Sequence, residues 1–541
     1  MVGLSSTGVF LSSVAIQAIG FIANFFLYHR IATSNAGSAL LGTVQLYLLI
    51  ASSINGMGDL RIGTAYTFFI ARGQSPKNST ATYLTLRLAM VGGAGIALFL
   101  LGTLGGSSYS WASTREEYFA LALFMGLPIL WSIQTVYTQL AIAQGRSTAG
   151  QIPLLLESVI RTPLLIYAVY YSPTIEGLTL AYLPGAIVSA AYSFLPVARE
   201  LAKVARAEAV RMFRYAWPLM GSLVLLYIAN NAPPLLVNAF AGTAALPQFN
   251  AANAWRILAL TLPTAVATPL FPFLSGLHRN RDYEGLRRST WKALRYTAMI
   301  VFPGVMVAII YRVNLLNTIN GGFLASDPDV PIALALLAAS VVPAALSQII
   351  GTSLNAIGYQ RLELYLTSLQ VGVLFAASVL FLPPVALFRL DPVVAVSIAL
   401  VASSVAALVL NTYFMERLLA VRIQLRPVAA ILGSAAVAFY AVSQFNLFIT
   451  HNRYYELALG IVLGFVVYFL VLALVGDLTK EDVRYLVSSV GLPRPIGNFL
   501  ARFCWRTESP AVNIARPGAA EGLNQKAIER LERTHELERK P

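Results

Sequence analysis

Fourteen apolar stretches of about 20 residues each, joined by mostly short polar connections, leave this chain of 541 residues few folds to adopt. A helix of that length spans a hydrocarbon core of about 30 Å. Lipid offers the backbone no hydrogen-bond partners, so a continuous apolar run satisfies its peptide groups within itself, as a helix. The stretches lie near residues 7–29, 38–57, 82–106, 118–143, 150–172, 176–197, 216–240, 251–276, 294–316, 331–356, 362–383, 392–414, 427–445 and 455–476. With 57% hydrophobic and 11% charged residues, the chain reads as an all-α polytopic membrane protein. The first stretch lacks a basic leader and a small-residue cleavage site, so it is expected to stay as a helix. The one cysteine, Cys504, excludes an intramolecular disulfide framework and a multi-cysteine metal cluster.

A formal net charge of +14 suggests nucleic acid in a soluble protein, but here its distribution among loops sets topology instead. Alternate connections hold 18 Lys and Arg residues, against five in the opposite set: Arg30, Arg115, Arg312, Arg389 and Arg453. By the positive-inside rule the richer set is cytoplasmic, which puts both termini inside a multi-pass protein of the inner, or cytoplasmic, membrane. The sequon Asn78-Ser79-Thr80 then falls in a cytoplasmic loop and reads as a chance match.

Two connections, Ala198–Tyr215 and His278–Tyr296, are long and basic, and each is expected to form an amphipathic helix at the lipid surface. The first divides the spans six to eight. A weak repeat crosses that divide, since Ala143-Gln144-Gly145 and Ala356-Ile357-Gly358 end corresponding spans 213 residues apart. These features predict an N-terminal six-helix lobe over 1–197, a basic linker over 198–215, a second six-helix lobe over 216–420, two further helices over 421–476 and a cytoplasmic tail over 477–541. The tail opens with an approximate capping box, Thr479 to Asp482, and from about Thr507 reads as a solvated helix or disorder.

The stretch PLFPFLSGLHRNRDYEGLRRSTWKALRYTAMIVFPGVMVAIIYRVNLLNTINGG, Pro269 to Gly322, resembles the polysaccharide flippase family of O-antigen type in its proline-bearing helix end, its D-x-E-G-L-R-R loop and its mid-span proline. INGMGDLRIGTAYTFFIARG, Ile54 to Gly73, is similar to that family's second-helix end. The family belongs to the multidrug, oligosaccharidyl-lipid and polysaccharide exporter superfamily. The resemblance covers about residues 7–490 and implies two six-helix lobes around a central cavity, with export of a lipid-linked glycan by alternating access.

Charge within a span costs about 2.5 to 3.5 kcal/mol at a helix centre, so the polar residues of the spans are the candidate sites. Glu157 and Arg161 share one face of the fifth span; they are either a mutually neutralising pair or a site where Arg161 holds a diphosphate and Glu157 holds Arg161. Arg87 either snorkels from the third span to the interface or binds substrate; Arg256, near the outer end of the eighth, has the same two readings. Asp59 and Arg61 read as a gate or structural contact. In the seventh span Asn230, Asn231 and Asn238 surround Pro233 and Pro234, forming either a packed kink or a polar wall for sugars.

The leading expectation is a non-enzymatic flippase for polyprenyl-linked oligosaccharide or polysaccharide precursors, with membrane lipids and glycan-assembly enzymes as partners and no nucleic acid. The nearest alternative is a cation-coupled multidrug antiporter, which should carry an acid deep in its first or seventh span; the first has only Gln17 and Asn24, and the seventh only amides. Glu157 or Glu363 would then have to carry a proton, and coupling to H⁺ or Na⁺ stays open. A glycan polymerase or glycosyltransferase would need acid/base groups outside, where His451 and Glu456 are the nearest candidates. No GxxxxGK[ST] loop is present to cradle a nucleotide, and no cofactor is implied.

Overall fold

The computed structural model describes residues 2–71, 75–104, 112–146, 148–320, 327–382, 390–419, 421, 425–446 and 454–480. Among them the chain is helical: α1 (Val2–Arg30), α2 (Asn35–Met57), α3 (Ile62–Ala71), α4 (Pro76–Leu104), α5 (Arg115–Ala143), α6 (Ile152–Tyr171), α7 (Ile175–Leu180), α8 (Leu183–Arg199), α9 (Arg206–Ala241), α10 (Ala245–Arg279), α11 (Tyr283–Ile310), α12 (Arg312–Asn320), α13 (Asp329–Ala356), α14 (Gln360–Phe381), α15 (Pro392–Leu419), α16 (Leu425–Asn446) and α17 (Tyr454–Val475). Every apolar stretch expected from sequence has a helix at its place. Eleven stretches of the described residues are long and apolar enough to cross a membrane, and Leu459–Val475 is a shorter apolar one. The expected capping box at Asp482, the tail beyond it, Cys504, His451 and the side chain of Glu456 lie outside the described residues.

The two basic connections differ from expectation. Neither forms a separate surface helix: α9 begins at Arg206 and α11 at Tyr283, and each runs on into its span. Arg, Glu and Ala favour helix, and no glycine separates Arg206 from Met220, so the basic segment propagates into the apolar one. Asp282 starts α11 by accepting the amide of Gly285 at 2.8 Å.

The two repeated turns share one geometry. Gly145 and Gly358 both have left-handed backbone, with φ of 75° and 95°. In each, the amide of the following residue reaches back five positions, Arg146 to Ala141 at 2.7 Å and Tyr359 to Leu354 at 3.1 Å. This is the Schellman ending, which suits glycine because a side chain resists that φ. The sequon lies inside α4 with Ser79 and Thr80 buried, Thr80 sharing a 2.8 Å hydrogen bond with Tyr66.

By internal contacts the chain forms two compact units, one of Met1–Ala254, Leu315–Ala333 and Thr367–Leu400, the other of Trp255–Asn314, Leu334–Leu366 and Val401–Pro541. In the first unit α5 is central, packing on α2, α3, α4, α7 and α8. There α9 lies against α2, α3 and α4, sharing a core of Tyr66, Tyr83, Val136, Leu140, Met212 and Met220. In the second unit α16 and α17 pack on each other and on α11. Two polar contacts fasten α17: buried Arg295 donates to the carbonyl of Asp477, and Tyr468 donates to that of Met299 at 3.1 Å.

Candidate functional site

Asp59 sits in the turn that joins α2 to α3. Two non-glycine residues there, Leu60 and Arg61, have φ of 41° and 60°, a left-handed pair that costs roughly 1 to 2 kcal/mol per residue and persists only where surroundings enforce it. Asp59 supplies that enforcement. Its Oδ2 accepts the amide of Gly63 at 3.3 Å, and its Oδ1 accepts the Tyr83 hydroxyl at 2.5 Å and Arg87 Nη1 at 2.8 Å. Arg87 is 2% exposed, and its Nη2 donates to the carbonyl of Asn55 at 3.0 Å, to Asn55 Oδ1 at 2.7 Å and to Thr135 at 3.2 Å. Arg87 therefore does not snorkel. Holding Asp59 and the end of α2 satisfies a cation that would otherwise be drawn toward the interface.

The same corner meets α9 at Gly56. A methyl built on Gly56 would stand 1.7 Å from the Tyr227 hydroxyl oxygen, so any side chain there would displace the ring. Gly56→Ala is expected to cost about 1 to 3 kcal/mol by overpacking. Thermal unfolding of Gly56→Ala, Tyr227→Ala and the two together checks this: the double variant should lose less than the sum of the single ones, and purely additive losses would refute the contact.

Glu157 and Arg161 form the pair expected from their spacing, at 3.3 Å. The two ends are unequally provided for. Glu157 is buried; its Oε1 accepts Trp131 Nε1 at 3.1 Å as well as Arg161, and in the amide orientation that suits its neighbours Gln134 donates to Oε2 at 3.3 Å while accepting from Ser189 at 3.1 Å. Arg161 has that one bond to Glu157 and lies with its Cζ 5.4 Å over the Tyr182 ring, its side chain 23% exposed. Gly185 lets α8 close on this pair, since a methyl there would meet the carbonyl oxygen of Glu157 at 2.8 Å.

Arg256, in the second unit, is arranged differently. Its Nε donates to Ser340 at 3.0 Å, and Ser340, fully buried, donates in turn to the carbonyl of Leu337 at 2.6 Å. Among the described residues no carboxylate forms an ion pair with Arg256 or with Arg61, and the buried Nε of Arg61 has no hydrogen-bond partner. In α9 the helix runs unbroken through Pro233 and Pro234. Asn231 turns back on its own helix, donating to the carbonyl of Tyr227 at 2.9 Å, and Asn230 is exposed.

The structure thus joins Asp59 to Arg87 and Glu157 to Arg161, and among the described residues Arg61 and Arg256 have no acid partner. Sequence reasoning missed Asn55, Tyr83, Trp131, Gln134 and Thr135. Helical spacing contained the signal: Tyr83 and Arg87 are four apart on α4, while Trp131, Gln134 and Thr135 mark one face of α5. That face of α5 serves both ion pairs, with Thr135 at Arg87, Trp131 at Glu157, and the Thr135 hydroxyl donating to the Trp131 carbonyl at 2.9 Å.

Residues 66–322 match a family model described as polysaccharide biosynthesis protein. No curated protein sequence matches the chain. Among solved structures, the lipid II flippase MurJ in an inward closed conformation aligns with a TM-score of 0.70 at 12% identity, covering 86% of this chain and 98% of MurJ. An inward-facing multidrug resistance MATE family transporter aligns with a TM-score of 0.62 at 14% identity, covering 75% of this chain and 94% of its own. A transporter of the same MOP superfamily from Pyrococcus furiosus aligns with a TM-score of 0.56 at 14% identity, covering 77% and 94%. At these identities the structural likeness is one of fold.

Proposed function

We propose that this chain, whose family match and fold support membership of a polysaccharide and lipid flippase family, moves a polyprenyl-linked oligosaccharide or polysaccharide precursor across the membrane by alternating access. The transported headgroup crosses from the cytoplasmic to the outer leaflet. The basic loops, which carry 18 of the inter-span Lys and Arg residues, face the cytoplasm together with both termini, in the cytoplasmic membrane. The six-helix lobes, 1–197 and 216–420, are the elements that alternate, and glycan-assembly enzymes supply and consume the substrate.

One observation carries the assignment of roles. Of the four arginines singled out in the sequence, two are matched to carboxylates and, among the described residues, two, Arg61 and Arg256, are not. A guanidinium partly withdrawn from water and lacking an acid is open to completion by an anion, and its planar fork suits phosphate oxygens. Arg161, with its bond to Glu157 and a side chain 23% exposed, is accordingly the diphosphate contact of the first unit, and Arg256 is a separate anion contact of the second. Asp59 with Arg87 holds the gate corner. Asn230 contacts sugar. The reaction makes and breaks no covalent bond, so the role is transport rather than catalysis.

Translocation of lipid-linked glycan headgroups in proteoliposomes tests the proposal, with drug export as the control. Drug export without headgroup movement would replace it with the multidrug reading, which shares the fold. Arg161→Ala is expected to change unfolding free energy by about 1 kcal/mol or less while reducing headgroup transport. Glu157→Leu, which leaves Trp131, Gln134 and Arg161 without their acceptor, is expected to cost about 3 kcal/mol. Unfolding curves of the two variants separate these roles, and equal losses would make Arg161 a packing residue only.

A further inference from the structure

The first turns of α9 present a groove of about 530 Å³ lined by Arg206, Ala207, Val210, Arg211 and Arg214. Residues 199–214 hold five basic side chains, Arg199, Lys203, Arg206, Arg211 and Arg214, against two acids, Glu200 and Glu208. Arg211 pairs with Glu208 at 3.7 Å and also lies 5.8 Å from the Phe69 ring. The groove is fixed in place, because the Ala205 amide donates to Thr82 of α4 at 3.0 Å and Met212 and Ala216 are fully buried in the core beneath it.

Apolar side chains flank the same turns. Val204, Val210, Phe213 and Trp217 are exposed, Trp217 at 66%, with the Phe213 and Trp217 rings 5.8 Å apart. Because α9 continues directly into a membrane span, these rings stand where the span meets the headgroup layer, the level that tryptophan favours. A site with guanidiniums beside aromatic and aliphatic faces matches a ligand that is anionic at one end and hydrocarbon at the other.

We propose that the Arg206–Arg214 groove is a binding site for the phosphodiester headgroup of an anionic membrane lipid of phosphatidylglycerol type. Arg206 and Arg214 contact the phosphate, Arg211 widens the positive field, and Phe213 and Trp217 lie along the upper acyl chains. The site uses none of the residues assigned to the transported headgroup and does not depend on which substrate the protein moves. Charge complementarity and the hydrocarbon flank select a lipid over a soluble anion, which would leave both rings in water.

The test uses the full chain purified in detergent. Phosphatidylglycerol and phosphatidylcholine are titrated in competition, with bound lipid counted by native mass spectrometry and Trp217 quenching by brominated lipid read against Trp217→Phe. The chain should retain phosphatidylglycerol selectively, and Arg206→Gln with Arg214→Gln should weaken that retention roughly tenfold or more. Arg288→Gln, at an exposed i,i+4 pair elsewhere, removes one charge and should leave it unchanged. Equal retention of the two lipids, undiminished retention in the double variant, or selective retention of a polyprenyl diphosphate in place of phosphatidylglycerol would each overturn the proposal.

Discussion

Replacing Arg87 with alanine is expected to lower the unfolding free energy by about 3 to 5 kcal/mol, the largest loss for any single change in these polar sites. The estimate follows from what the substitution leaves behind. Asp59 keeps only Tyr83 and Gly63 as donors, while Asn55 and Thr135 lose the guanidinium they accept or contact, all around a side chain that is 2% exposed. A carboxylate so placed has lost its counter-charge without regaining water. The strained pair at Leu60 and Arg61 depends on the same carboxylate, so the turn between α2 and α3 should loosen with it. Thermal and denaturant unfolding of Arg87→Ala, Asp59→Asn and Asp59→Asn with Arg87→Ala makes the test. The double variant should lose less than the sum of the single ones, because removing both charges leaves none stranded. A loss below about 1 kcal/mol for Arg87→Ala, or strict additivity, would mean the network is not what holds the corner.

Much of the fold was legible because lipid simplifies the problem. Where no water competes for backbone groups, apolar length alone predicts a helix, and every expected span has one. The turns at Gly145 and Gly358 were legible for a different reason: a glycine after a span end marks a left-handed cap wherever it occurs. What sequence did not disclose was continuity. Arg206 to Tyr215 reads as a surface helix by composition, but nothing in those residues stops a helix, so it joins the span that follows.

The site was legible in parts for equally physical reasons. Glu157 and Arg161 meet because four residues is one helical turn, a local relation that spacing reveals. Asp59 and Arg87 meet across 28 positions and two helices, which no spacing rule reaches. Depth from the helix end suggested that Arg87 extends to the interface; tertiary packing gave it a carboxylate instead. The face of α5 that receives both pairs carries no charge at all, so a search for charged residues passes over Trp131, Gln134 and Thr135.

Arg256→Met should act in the opposite sense from Arg87→Ala, leaving the chain at least as stable while headgroup transport falls roughly thirty- to a hundredfold. The stability sign comes from the missing acid. Arg256 bears its desolvation with one hydrogen bond, to Ser340, and Ser340 stays satisfied through Leu337 when the guanidinium goes. Methionine fills similar length without charge, so the folded state loses one contact and sheds a desolvation cost. The transport figure comes from the proposed charge-assisted contact to phosphate, about 2 to 3 kcal/mol at tenfold per 1.4 kcal/mol. Stability retained for a function it opposes is the pattern that binding sites follow. Unfolding and proteoliposome transport measured on the same Arg256→Met preparation decide the matter: a destabilised protein that transports normally once folded would make Arg256 a packing residue and remove it from the substrate path. A stable protein that no longer moves headgroups would instead fix Arg256 as an anion contact, because no loss of structure would remain to account for the lost transport.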